Sequence, residues 1–188
     1  MKKSYIIIGS IVALVLILFM TYRNSYNKAI SYQETVDEQW SNVGAQYQRR
    51  ADLVPQLVAT VKGAAENEKG ILQGVTEARA GIEKGIENAK TPEDMELMGK
   101  KINTAINLAF EAYPQIRSTE NFQELQAQLE GTENRIVKAR ADYNESIKQY
   151  NAHIRGFFNS MFLNSATFPK KEGFKAAAGT EVAPTVAF

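Results

Sequence analysis

Side chains able to do chemistry are scarce in this chain. It has no cysteine, and His153 is its single histidine. A nucleophilic triad needs that histidine beside an activated serine, yet no Gly-x-Ser-x-Gly elbow occurs. Helical two-metal sites use Glu-x-x-His on two helices. Here Tyr150 stands three residues before the lone histidine, so neither a zinc nor a di-iron site is expected. His153, between Ala152 and Ile154, reads as a surface or boundary residue. Lys69-Gly70 and Lys84-Gly85 reverse the order of a phosphate loop and lie in helical pattern. Met95 and Met98 have helical spacing, which marks a core face before it marks haem ligands. Glu66/Glu68 and Glu93/Asp94 read as a solvated face and a helix start. No catalytic, cofactor-binding or metal-ligating residue is therefore assigned, and no cofactor is expected.

One polar cluster stands out. Arg49-Arg50-Ala51-Asp52 precedes Pro55, and Arg50 falls on an apolar seam. A guanidinium is tolerated on such a seam when it meets a carboxylate. Glu133, Arg135, Arg140 and Asp142 lie beside or between seam positions of the last long helical stretch. One reading is an interhelical ion-pair network that sets register, with Arg50 reaching Glu133 or Asp142. A second is a set of solvated side chains that snorkel. A third is functional: Arg49, Arg50 and Asp52 would bind an anionic ligand, since guanidinium matches phosphate and carboxylate.

The elements that would position these residues are all helical. Val36, Trp40, Val43, Tyr47, Val54, Leu57, Val61, Ala64, Ile71, Val75, Ala78 and Ile82 follow steps of four and three, broken only by Arg50 and Glu68. Pro55 predicts a kink, because proline lacks a donor and clashes with the preceding turn. Either one kinked helix or two helices meeting near residues 62–70 would satisfy the pattern. Thr91-Pro92-Glu93-Asp94 is a helix start with a cap, a first-turn proline and dipole-compensating acids. Met95, Met98, Ile102, Ala105 and Ala109 mark its buried face, and Tyr113-Pro114 its end. Ser118 or Thr119 caps a last helix whose seam runs Phe122, Leu125, Leu129, Thr132, Ile136, Ala139, Tyr143, Ile147, Tyr150, Ile154 and Phe157. Periodicity is lost after about Phe158, so residues 161–188 read as an irregular tail. An intramolecular antiparallel bundle over 23–160 accounts for short turns between seams better than an oligomeric coiled coil.

Ahead of that domain, residues 4–22 carry no charge, between a basic flank at 1–3 and Arg23. At about 1.5 Å rise per residue such a stretch nearly spans a ~30 Å hydrocarbon core. It lacks a small-residue cleavage site, which favours an uncleaved single-pass helix in the cell membrane over a signal peptide. Lys2 and Lys3 on one side and Arg23 and Lys28 on the other leave orientation nearly tied, with a lean to a non-cytoplasmic domain. The chain's 22 Lys and Arg, less Lys2 and Lys3, leave 20 against 21 acids in the rest. That near-neutral balance speaks against general nucleic-acid binding. The expected partners are the lipid bilayer and a protein at the membrane, with oligomers through the span left open.

Gln39-Trp40-Ser41, Arg49 through Val58, Val61-Lys62-Gly63, Glu77-Ala78-Arg79, Tyr113-Pro114, Phe122 through Gln126, Thr132 through Ile136, Ala139-Arg140, Tyr143-Asn144, Tyr150-Asn151 and the closing Ala183-Pro184-x-Val186-x-Phe188 run in one order along the chain. Together these motifs resemble the LemA family. At Phe157-Phe158-Asn159 the chain departs from the Phe-Pro more usual there. The resemblance implies a bacterial single-pass membrane protein with an antiparallel four-helix bundle and no established enzymatic activity. No catalytic residue is carried over. The resulting expectation is a non-enzymatic scaffold or interaction module at the cell envelope. The alternative is an enzyme or carrier using Arg49, Arg50 and Asp52.

Overall fold

The computed structural model describes residues 2–62, 80–112 and 120–175. Among them helix is the only regular structure. Helix α1 runs Lys2–Ala51, α2 Leu53–Lys62, α3 Pro92–Ala112, α4 Glu120–Arg155 and α5 Phe157–Phe162, with a further helical stretch at 80–88. The first part of α1 holds an 18-residue window of mean hydropathy 2.5, none of it buried.

The break between α1 and α2 falls at Asp52, three residues before Pro55. Proline has no N–H to offer the carbonyl of residue 51, and its ring crowds that carbonyl, so the ladder is interrupted there. The expected kink is thus a one-residue break. The alternative meeting point at 62–70, the stop at Tyr113-Pro114 and the cap at Ser118 or Thr119 reach outside the described residues.

Helix α3 starts as its sequence requires. The Asp94 N–H donates to Thr91 Oγ1, and Asp94 Oδ2 accepts from the N–H groups of Thr91 and Lys90, each at 3.1 Å. This reciprocal box satisfies donors that a helix start otherwise leaves open. The Thr91 hydroxyl foremost, and then the Lys90 and Thr91 N–H groups, hold the Asp94 carboxyl below its usual range.

The chain divides into two compact units. One combines residues up to 41 with 142–171. Its α1 portion buries Ser25, Ala29 and Val36, and its α4 portion buries Tyr143, Ser146, Ile147, Tyr150 and Ile154. These portions run antiparallel: Trp40 meets Tyr143, Tyr32 meets His153, and Ser25 meets His153. The segment after α5 closes on this pair. Phe168 is buried with its ring against Tyr26, the Tyr150 hydroxyl donates to the Pro169 carbonyl at 3.0 Å, and the Asn151 amide exchanges two hydrogen bonds with the Lys171 backbone.

The other unit holds 42–141 and the chain from 172. Its core includes Val43, Tyr47, Val54, Leu57, Ile82, Met95, Ile102, Leu129 and Ile136. Gly44 faces Met95, Tyr47 faces Gly99 and Arg50 bonds Asn103, so α1 and α3 run in the same direction here. Helix α4 runs against both, with Arg50 at Leu129 and Arg140 at Glu96. A Cβ at Gly99 would lie 2.7 Å from the Tyr47 ring, so this close approach depends on glycine.

Two sequence expectations are corrected. Phe157 was read as the last buried position of the α4 seam, but it is 77 % exposed. Gly156, at φ −58° and ψ 141°, leaves helical space and ends the register one residue earlier. Helical pattern also returns after Phe158, because α5 extends to Phe162.

Candidate functional site

Within the 42–141 unit a cleft of about 670 Å³ gathers three of the charged side chains singled out from sequence, Arg50, Glu133 and Arg140. Helix α1 supplies Tyr47 and Arg50, α3 supplies Glu96 and Asn103, and α4 supplies Glu133 and Arg140. Arg50 reaches the cleft because the four-three spacing that buries Val43, Tyr47 and Val54 carries position 50 along the same face. Only its head is polar, and Nη1 and Nε of that head are engaged. Arg50 Nη1 lies 2.8 Å from Glu133 Oε2 and donates to the Leu129 carbonyl at 3.0 Å, while Nε donates to Asn103 Oδ1 at 3.2 Å. The Thr132 hydroxyl stands 3.4 Å away. Of the two carboxylates anticipated for Arg50, Glu133 is the one it meets.

A second pair lines the same cleft. Arg140 Nη2 lies 2.6 Å from Glu96 Oε1, and the guanidinium sits over the Phe174 ring at 4.6 Å. Stacking and pairing together suit arginine and would not suit lysine. Tyr47 packs beside both pairs. Burial raises its hydroxyl pKa, Glu133 and Glu96 add to the rise, and the Arg140 charge opposes it. The phenol therefore stays neutral at physiological pH, and its oxygen accepts a hydrogen bond from the Arg140 guanidinium. Lys175 and Glu93, 3.8 Å apart, close the rim.

The structure separates the sequence cluster. Arg50 enters the cleft, whereas Arg49 is exposed and Asp52 is an exposed turn residue that accepts from Gln48 Nε2 at 3.3 Å. Chemically, the cleft holds two arginine–carboxylate pairs, Lys100 and Lys175 beside Glu93, and a neutral phenol. Among the described residues no group of three or more His, Cys, Asp or Glu is placed to hold a metal.

Another polar cluster was not legible. In the unit of residues up to 41 and 142–171, His153 Nε2 lies 3.0 Å from the Ser25 carbonyl. Asn159 of α5 accepts from the Ser25 hydroxyl at 2.8 Å and donates from Nδ2 to the His153 carbonyl at 2.9 Å; the same nitrogen is 3.2 Å from His153 Nδ1. This set fits an imidazole protonated at Nε2, donating to Ser25 and accepting from Asn159. The Tyr32 ring lies tilted beside the imidazole, 5.3 Å between centroids. Boundary placement is correct for His153, but its role is to fasten α4 and α5 to α1. The only sequence signal was that Phe157-Phe158-Asn159 departs from the Phe-Pro more usual there. The pair Tyr150-Asn151 is a similar case: a motif without an assigned role becomes the clamp on the chain at 169–171.

No curated protein matches the chain. A family model described as the LemA family matches residues 39–188, beginning after the apolar segment. Covering most of the chain, and including both arginine pairs and the His153 cluster's α4 and α5 members, that match places the protein in the LemA family.

Proposed function

We propose that the chain is a single-pass membrane protein whose helices form an antiparallel four-helix bundle held at the cell envelope, and that the bundle acts as a non-enzymatic scaffold for a protein partner. The observation that carries this reading is the wholly unburied apolar window at the head of α1, the same helix that supplies Val36, Val43 and Tyr47 to the core. An apolar surface of that length needs a cover, and a ~30 Å hydrocarbon core fits it. The few polar side chains in the segment support this. Ser10 and Thr21 donate to carbonyls one turn back, Ile6 and Ile17, at 3.0 Å each, which spares them unsatisfied donors in lipid. We place the bundle on the non-cytoplasmic side.

Support for the bundle topology comes from the antiparallel pairing of α1 with α4 and the parallel pairing of α1 with α3, the relation expected of alternate helices in up-down order. Support for a scaffold comes from the cleft. Glu133, Asn103 and the Leu129 carbonyl already occupy Nη1 and Nε of Arg50, which weighs against the enzyme or carrier alternative.

Affinity capture from membranes tests the reading, using the intact chain beside one lacking residues 1–23. The intact chain is expected to resist carbonate extraction and recover a reproducible protein partner. Recovery of none by either form would refute the scaffold, and release of the intact chain by carbonate would refute the anchor. Protease accessibility on spheroplasts reads the side.

A further inference from the structure

We propose that α5 is a lipid-binding foot: Phe157, Phe158 and Met161 insert at the headgroup–acyl boundary of the leaflet where α1 leaves the bilayer. This rests on the membrane-spanning reading of α1. The three side chains are 77 %, 72 % and 70 % exposed, and α5 has no buried residue of its own. Positions 157, 158 and 161 fall within about 100° of one another around a helix, so they form one apolar face.

Two other residues of α5, Asn159 opposite that face and Phe162 at its edge, fasten the helix to α1. Asn159 bonds the Ser25 hydroxyl, and the Phe162 ring meets Tyr22 at 6.0 Å. These contacts set the depth of the foot. The uncharged segment ends at Tyr22, and Ser25 lies three residues further, about 4.5 Å along the helix axis. The polar zone on each side of a bilayer is about 5–7 Å thick, so α5 lies inside it. Amphipathic helices rest at this depth with aromatic residues turned inward. The Gly156 break turns the chain out of the α4 register and allows Phe157 to face away from the core.

Charge agrees with a lipid occupant. No Asp or Glu occurs in residues 1–33 or 146–171, while Arg23, Lys28 and Arg155 are exposed in the same unit. Basic side chains around an apolar face complement anionic headgroups. A soluble protein partner would have no reason to coincide with the level at which the span ends.

Because the chain has no cysteine, single spin labels test the proposal directly in the full-length protein. Phe158→Cys and Met161→Cys are labelled, with Phe19→Cys as a span control and Val137→Cys as an exposed control. The protein is reconstituted in phosphatidylcholine–phosphatidylglycerol vesicles, and collision with oxygen and with a water-soluble nickel chelate is compared. Labels at 158 and 161 are expected to favour oxygen, less strongly than the label at 19, while the label at 137 favours nickel. Labels at 158 and 161 that behave like 137, with 19 in lipid, overturn the foot and leave the anchor standing. Nickel access at 19 overturns the anchor and the foot with it. Labels at 158 and 161 shielded from both reagents, with dipolar broadening that fades on dilution by unlabelled chain, mean that a second copy covers the face and refute the lipid assignment. Two positions are used so that one poorly tolerated label does not decide the outcome.

Discussion

Arg50 and His153 each tie α1 to α4, by different means. Arg50 does so with a full charge, meeting Glu133, the Asn103 amide and a helix carbonyl. His153 does so through neutral groups, an imidazole, an amide and a hydroxyl shared with Asn159 and Ser25. The difference decides which cluster can be read ahead of structure. A lone charge on an apolar seam breaks a pattern and demands a partner. An Asn or a Ser on a helix breaks no pattern, and its importance depends on what the fold puts opposite it. It also decides response to conditions: the Arg50–Glu133 attraction is screened by salt, because the Glu133 side chain is 50 % exposed, and the neutral cluster is not.

The largest effect is expected at Arg50. Arg50→Met keeps the apolar stem but loses the charged hydrogen bonds, and should cost about 2 kcal/mol in thermal unfolding of the full-length protein. A double-mutant cycle with Glu133→Gln should show coupling of well under 1 kcal/mol, diminishing in high salt, since half-exposed pairs contribute little. Unchanged or raised stability of Arg50→Met would remove its structural role and collapse the contrast with His153.

Asn159→Ala comes next, at about 1–2 kcal/mol, because the buried Ser25 hydroxyl and the His153 ring nitrogen both lose a partner. Its cost should not depend on salt. A salt-dependent loss would show that charge, and not neutral bonding, holds this cluster.

Tyr150→Phe should cost about 1 kcal/mol by leaving the Pro169 carbonyl without its donor, and it should raise proteolysis of the chain after α5. Equal protease resistance would place the clamp on Asn151 alone.

The smallest effect concerns Asp94, whose carboxyl is fully solvated. Its folded pKa lies below the ordinary value, so its contribution is whole above the usual carboxylate range and is lost as pH falls through the depressed value. Asp94→Asn should therefore melt below the parent at neutral pH, with the gap closing below about pH 4. A gap that stays constant with pH would mean that shape, not charge, makes the helix start.

Much of the helical layout was legible because burial imposes a period. Of the α4 seam, Phe122 through Ile154 are buried as spacing requires, and Thr91-Pro92-Glu93-Asp94 makes the start its chemistry dictates. The candidate site was half legible. Arg50 was expected to meet Glu133 or Asp142 and meets Glu133, while Arg49 and Asp52 were grouped with Arg50 by proximity in sequence. Neighbours on a helix point about 100° apart, so that proximity had no spatial meaning. Phe157 failed for a related reason: a seam position continues only while the helix does, and Gly156 stops it.

By itself, then, the sequence determined the helical elements, an apolar N-terminal segment, the α3 start and, in Arg50, a seam charge for which a carboxylate partner was one expected solution. Those properties follow from local chemistry and periodicity. Tertiary structure alone decided which carboxylate Arg50 meets, that His153 and Asn159 bind Ser25, and that Phe157, Phe158 and Met161 face outward beside the end of the apolar segment. Each of those depends on residues more than a hundred positions apart, or on the register of one helix against another, and no local pattern encodes that distance.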